Sequence, residues 1–344
     1  MRMACLIGAV LVVTNAARAD EIADFYRGKS IEIAVAGTAA GGYDVAARTL
    51  AARMSRHIPG NPAVIVRNMP GAAGLVVTNY LYNLARQDGT VIGMPTSNVP
   101  LEPRLKLLSP DGGNVKFDLN KFEWLGTPLQ EPQVTWVWHD APATNVDDLK
   151  LNPVLMGATT ASADNAILPL VVNKLLGTKM KVATGYQGQN EINLAAERGE
   201  VQGNNTGLSN LTVNKADWLR DHKVRILLQF GVDRLPQLPD VPTVIELTPN
   251  EADRAALRFY TIKFNMARPI LIPPGVPADR VAALQAAFEA TMTDPLYLND
   301  AKSIGLDTNW LGAKALADQA HAIADTPQAV VDHLHELLAG AGIK

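Results

Sequence analysis

The 344-residue chain has a single cysteine, Cys5, near its start. Without a second thiol there is no internal disulfide, and a metal held by several cysteines is excluded as well. No uninterrupted apolar run reaches the roughly 18 residues that a membrane helix needs. The six histidines are scattered, and only His333 and His335 are close. On a helix those two point to different faces, so they make a poor metal pair and no metal site is expected. Basic residues do not exceed acidic ones, at 31 Lys+Arg against 34 Asp+Glu, which argues against nucleic acid as a partner. The dinucleotide fingerprint G-x-G-x-x-G is absent. Gly37 and Gly42 have the glycine spacing of a Walker A loop, but Tyr43 and Asp44 stand where Lys and Ser/Thr would be required. Triphosphate and nicotinamide cofactors are therefore not expected.

The first 19 residues do carry a pattern. Arg2 precedes an apolar core from Ala4 to Val13, and Ala17-Arg18-Ala19 has the small-x-small form of a cleavage site. This reads as a secretory signal peptide over 1–19. Cys5 would leave with it, so thiol catalysis is not expected in the exported protein. The loss of Arg2 and Arg18 leaves 29 basic residues against 34 acidic, a net charge of −5. The length suits two domains of ordinary size.

The most informative stretch is IEIAVAGTAAGGYDVAARTLA, from Ile31 to Ala51. A short β-branched run predicts a strand buried on both faces of a parallel sheet. Gly37 to Gly42 carries no bulky side chain, so backbone N–H groups there can approach a ligand closely. Ala46, Ala47, Leu50, Ala51 and Met54 then recur at helical spacing. Strand, small-residue loop and helix N-terminus together form an anion cradle at the edge of an open α/β sheet. Arg48 and Arg53 are expected on the solvated side of that helix.

Further along, Ala63–Val66 and Thr90–Met94 read as strands and Leu75–Ala85 as a helix, giving a βαβαβ half-sheet with right-handed crossovers. Its third strand ends in Pro95-Thr96-Ser97-Asn98, another polar loop on the same edge. The unit recurs in the second half. Val134–Trp138, Val154–Gly157, Met180–Ala183 and Val224–Phe230 read as strands, Asn165–Leu176 as a helix, and Thr159–Asp164 and Gly185–Gln189 as small polar loops. Trp136 and Trp138 share one strand face and are expected in the core or on the lobe surface. Asp164 either caps its helix or repels a ligand carboxylate.

After Phe230 comes GVDRLPQLPDVPT, which ends a strand with spaced prolines. It resembles the R-x-P-x-L-P-D-V-P-T run of the Bug-type (TctC-like) solute receptors of tripartite tricarboxylate transporters. Gly41-Gly42 with Asp44, Asn68 with Pro70-Gly71 and Gly74, Asp88-Gly89, Tyr186 with Gly188, and Pro273-Pro274-Gly275-Val276-Pro277 follow in that family's order. Three departures are that Ala40 replaces a usual Pro, Met69 replaces a usual Arg, and no glycine lies between Thr159 and Asp164.

The resemblance implies an α/β protein with the two-lobed fold of periplasmic binding proteins. Each lobe would be a doubly wound sheet with flanking helices, with lobe 1 at 20–100 plus 229–344, lobe 2 at 101–228, and two hinge crossings between them. It implies a monomeric periplasmic receptor that closes on a small organic carboxylate, aliphatic or aromatic, and delivers it to a membrane permease. The ligand contacts it carries over are Gly41, Gly42, Tyr43, Asp44, Thr96 and Ser97 in one lobe. In the other they are Thr159, Ala161, Ser162, Ala163, Tyr186 and Gly188. Binding through backbone amides and hydroxyls, with no arginine, is the expected mode. No cofactor and no catalytic residue is expected, because Ser97 and Ser162 have no histidine in their motifs. A sensor for a signalling partner, or a hydrolase using the same loops, are the competing readings.

Overall fold

The structure, a computed structural model, describes residues 20–107 and 113–343. The signal peptide expected at 1–19 lies outside the described residues. Eleven strands occur among the described residues, in chain order β1 Ser30–Val35, β2 Ala63–Asn68, β3 Val91–Met94, β4 Glu123–Thr127, β5 Gln133–Trp138, β6 Leu155–Ala158, β7 Lys181–Thr184, β8 Gly203–Gly207, β9 Val224–Phe230, β10 Ile270–Ile272 and β11 Leu311–Gly312. The helices that matter below are α1 Gly42–Met54, α2 Leu75–Asn83, α3 Asp164–Leu176, α4 Gln189–Glu197, α5 Glu251–Thr261, α6 Ala278–Met292 and α7 Gln328–Gly340.

Contacts divide the chain into two compact units. Unit 1 contains the described residues up to Gln130 together with Met266–Ala324, and unit 2 contains Glu131–Asn265 with the described residues from Asp325 on. In unit 1 the sheet order is β11-β4-β10-β3-β1-β2. β1 pairs in parallel with both β2 and β3, the expected βαβαβ half, while β10 lies antiparallel between β3 and β4. Ile31, Ile33 and Val35 of β1 are buried with Leu50 and Met54 of α1 and with Leu284 and Phe288 of α6. Burying side chains of this size stabilises by about 1.5–3 kcal/mol each. That core fixes the strand end from which the first loop springs.

Unit 2 has the sheet β7-β6-β8-β5-β9. β6 and β7 are parallel neighbours, so the loops that follow them leave from the same edge. Trp136 is fully buried and meets the Trp218 ring edge-on at 5.4 Å, and Trp138 meets it at 4.8 Å, so both tryptophans serve the core.

The chain changes unit at 130/131, 265/266 and 324/325, three times where two crossings were expected. The boundaries expected at 101 and 229 differ for physical reasons. β4, in a stretch without clear alternation, pairs with β10 and β11 and so belongs to unit 1. The proline-spaced segment after β9 folds back on that strand. Gln229 donates from Nε2 to the carbonyls of Leu238 and Val241, at 3.1 and 2.6 Å, and its N–H reaches Pro242 O. α7, expected on the first lobe, instead packs against α5 and α3 of unit 2. His333 of α7 meets Asp253 of α5 at 2.7 Å. Pro327 caps α7 at its N-terminus, with ψ 140°.

Candidate functional site: an anion cradle in unit 1 and a paired carboxylate in unit 2

In unit 1 three loops follow β1, β2 and β3 on the edge where parallel strands end. α1 starts at Gly42, and its cap residue Gly41 has no side chain to satisfy the first amides. The N–H groups of Gly42, Tyr43 and Asp44 therefore lack intrahelical partners. They also carry the helix's partial positive charge.

Asp44, expected among the ligand contacts, is only 2% exposed and faces inward. Its Oδ2 accepts from Ala40 N–H at 2.8 Å and Arg48 Nε at 3.0 Å, and its Oδ1 from Asn68 Nδ2 at 2.9 Å. Arg48 Nη2 also lies 2.9 Å from Oδ1. Asn68 donates in addition to Gly37 O at 2.9 Å, so one side chain stitches the ends of β1 and β2 together. The Arg48 guanidinium, helped by Asn68 and the Ala40 N–H, holds the Asp44 carboxyl down to about 2. Asp44 thus shapes the loop from beneath. Arg48, expected to be merely solvated, is its half-exposed partner, and Arg53 pairs with Asp300 at 2.6 Å. Ala40 takes φ +62°, which a proline locked near −65° could not adopt, so this loop follows a path closed to the usual residue.

Tyr43 ties two loops together, since its hydroxyl accepts from Ser97 N–H at 3.1 Å. The Thr96 hydroxyl donates to Ala73 O at 2.6 Å. Beneath it, Gly71, Ala72, Ala73 and Gly74 all have positive φ, which is free for the glycines and strained at Ala72 and Ala73. Gly41, Gly42, Tyr43, Thr96 and Ser97 are thus assembled on one edge of unit 1. Arg67, just before Asn68, reaches Glu32 at 3.3 Å. No motif marked Arg268, yet its guanidinium carbon sits 4.2 Å from the centroid of the Tyr43 ring.

In unit 2 the Thr159 N–H donates to Asn165 Oδ1 at 3.2 Å, and Thr159 O accepts from Gly185 N–H at 3.0 Å, linking the loops after β6 and β7. Ala161 and Ser162 are exposed at the tip, with the Ser162 hydroxyl 3.4 Å from that of Thr160. Ala163 is the cap of α3, and Gly188 the cap of α4. Tyr186 is half-buried against the unit 2 core, and burial raises its pKa. Asp164 neither caps α3 nor stands as a free charge. It accepts from Tyr260 Oη and from Lys263 Nζ, both at 2.7 Å, and Lys263 is almost wholly buried. Burial, with the Asp164 charge added, pushes the Tyr260 hydroxyl well up. The sequence signal for this pair was a lone lysine between the apolar residues Ile262 and Phe264, since a lysine is rarely buried unless it is paired.

Among the described residues no three His, Cys, Asp or Glu side chains gather as metal ligands, and no helix is long and apolar enough to cross a membrane. A cavity of about 350 Å³ in unit 2, lined by Thr144, Lys150, Leu176 and Pro242 among others, shares no residue with either loop set.

The sequence matches the family described as the tripartite tricarboxylate transporter family receptor, TctC, over residues 46–335. The chain belongs to that family. A UPF0065 protein in the gbd 5' region of Cupriavidus necator is 24% identical over 319 residues, covering 91% of this chain and 89% of that one. A TctC solute binding protein from Polaromonas superposes with a TM-score of 0.67 at 18% identity, over 89% of this chain and 99% of that one. An R. palustris protein whose structure holds adipate gives 0.60 at 18% identity, over 92% and 98%. The receptor therefore has the two-lobed periplasmic binding protein fold, with two mixed sheets and flanking helices.

Proposed function

We propose that this receptor binds a small organic carboxylate and hands it to the membrane permease of a tripartite transporter, working in the periplasm and without catalysis. The observation that carries this reading is the unit 1 cradle. An uncapped thirteen-residue helix points its free N–H groups out of a loop whose one acidic side chain is turned inward and neutralised. Such an edge accepts an anion and has little to offer a cation. The adipate held by the R. palustris relative is of the same chemical class. Thr159, Ala161, Ser162, Ala163, Tyr186 and Gly188 of unit 2 are proposed as further ligand contacts. The Lys263 partner of Asp164 supports this, because it removes the negative charge that would otherwise meet an acid at the start of α3. Charge-assisted hydrogen bonds are worth ~1.5–3 kcal/mol each, so three or four match the ~8 kcal/mol of micromolar binding before association costs.

A thermal-shift screen of adipate, malate, citrate and benzoate against their amides tests the binding half. An acid at ~100 times its dissociation constant should add about 2.7 kcal/mol. Ser162→Asp should abolish that gain and leave the empty protein's melting unchanged. Amides that stabilise as well as the acids, or turnover of carboxylic esters, would refute the reading. Loss of uptake of the bound acid on deletion of the gene tests the transport half.

A further inference from the structure

The expected binding mode used neutral donors only, but unit 1 holds a cation at the cradle that has no counter-ion among the described residues. Arg268 follows Ala267 just ahead of β10. Its backbone N–H is fixed by Thr127 Oγ1 at 3.1 Å, and its Nη1 donates to Ala267 O at 3.0 Å. The guanidinium lies on the Tyr43 ring, and Nη2 is 3.4 Å from the position a Cβ would take on Gly42, the first residue of α1. Nε is shut off from solvent and has no hydrogen-bond partner, and no described carboxylate pairs with the side chain.

Three features of this placement are unfavourable in the empty protein. A buried guanidinium N–H without an acceptor forfeits its hydration. A positive charge beside a helix N-terminus opposes the helix dipole. A partly buried cation has no anion to offset its desolvation. One added group, an anion lying between Arg268 and the first turn of α1, relieves all three. Asp44 cannot serve, because both its oxygens are taken by Arg48, Asn68 and Ala40.

Resting on the carboxylate-receptor reading, we propose that Arg268 is the charged anchor of that site and its specificity-determining residue for acids. It takes one carboxylate of the ligand on Nη2, with the Nε edge completing the fork as the acid settles, while the N–H groups of Gly42 and Tyr43 take the same group from the helix side. The planar fork of arginine suits a two-oxygen acceptor, where a lysine would offer a point charge. The Tyr43 ring supports the guanidinium, and the Tyr43–Ser97 hydrogen bond holds the ring.

The test uses the full mature chain with adipate, malate, citrate and benzoate as probes, read by calorimetric titration and by melting with and without acid. Arg268→Met keeps an unbranched stem on the Tyr43 ring and removes the charge. It should weaken whichever probe binds the wild type by about 10- to 100-fold, equivalent to about 1.4–2.7 kcal/mol. Its unliganded melting temperature should be equal to or above that of the wild type, since an unpaired cation has gone. Arg268→Lys should recover only part of the affinity, and raised salt should weaken the wild type more than Arg268→Met. Binding by Arg268→Met at wild-type affinity overturns the anchor and leaves the receptor reading standing. A fall in unliganded melting by several degrees, with affinity changed no more than by Tyr43→Phe, also overturns it, because Arg268 would then be holding the loop only. A wild type that none of the four acids stabilises overturns the receptor reading and the anchor with it.

Discussion

Replacing Asp44 by Asn removes one charge and almost no volume from the group that shapes the first loop. Each carboxylate oxygen accepts two hydrogen bonds, one from Arg48 and one from either the Ala40 N–H or Asn68. An amide can reproduce only one oxygen, so in either orientation its NH₂ faces two donors. Arg48 is 52% exposed and can turn to water, so its share is small. The remaining donor loses a hydrogen bond in a nearly buried place, which costs about 1–3 kcal/mol. For a unit of this size about 2 kcal/mol corresponds to a melting point roughly 4–8 °C lower. Differential scanning calorimetry of the empty protein reads this directly, in the transition that belongs to unit 1.

The same carboxylate gives a second readout. Its folded-state pKa is about 2 against an ordinary 3.8, so as pH falls the unfolded chain takes up the proton first. The stabilisation is complete above roughly pH 5 and is lost as pH drops toward 2. The difference between wild type and Asp44→Asn should therefore be constant from pH 5 to 8 and shrink below 4. If the variant melts within about 1 °C of the wild type at pH 7, or the gap widens on acidification, the network does not hold the loop as argued.

Gly74→Ala should destabilise by about 2 kcal/mol or more, because φ is +101° and the added Cβ would lie 2.9 Å from Thr96 N, and chemical denaturation that shows no loss would refute it. In unit 2, Lys263→Met should lower stability by about 2–4 kcal/mol by stranding the Asp164 charge beside a buried tyrosine. Adding Asp164→Asn should restore part of it, and a double-mutant cycle with coupling near zero would show that the pair carries no net interaction.

The stretch from Ile31 to Met54 was legible because period and composition agreed there. The stripe Ala46, Ala47, Leu50, Ala51 and Met54 is buried as its spacing required, and the small-residue loop separates β1 from α1 as expected. β8 was not legible. Its sequence, Gly203-Asn204-Asn205-Thr206-Gly207, shows no apolar alternation, and it is buried through side-chain hydrogen bonds from Asn204 and Thr206 to Gln189 and from Thr135 to Asn205. β10 is three apolar residues ahead of a proline run, too short for a period to show. Arg268 and Asp164 show the other limit. Sequence placed Asp164 correctly at the start of α3, but its charge is decided by Lys263 and Tyr260, almost a hundred positions away along the chain. Arg268 reaches Tyr43 only because β10 inserts beside β3, and no local pattern encodes that.

The insertion of β10 also sets an order of assembly. While the chain is being made, β1, β2 and β3 can pair as soon as they exist, but the slot between β3 and β4 stays empty until Ile270–Ile272 arrive, after every strand of unit 2 has been synthesised. The unit 1 core is therefore completed only by residues made late, since Leu284 and Phe288 of α6 are part of it. In unit 2 the core around Trp136 and Trp218 is complete once the segment to Leu238 exists, and α7 is added to α5 and α3 last. Through most of the synthesis the β3 edge therefore stays without its β10 neighbour, and an unpaired strand edge is an aggregation hazard until that neighbour arrives.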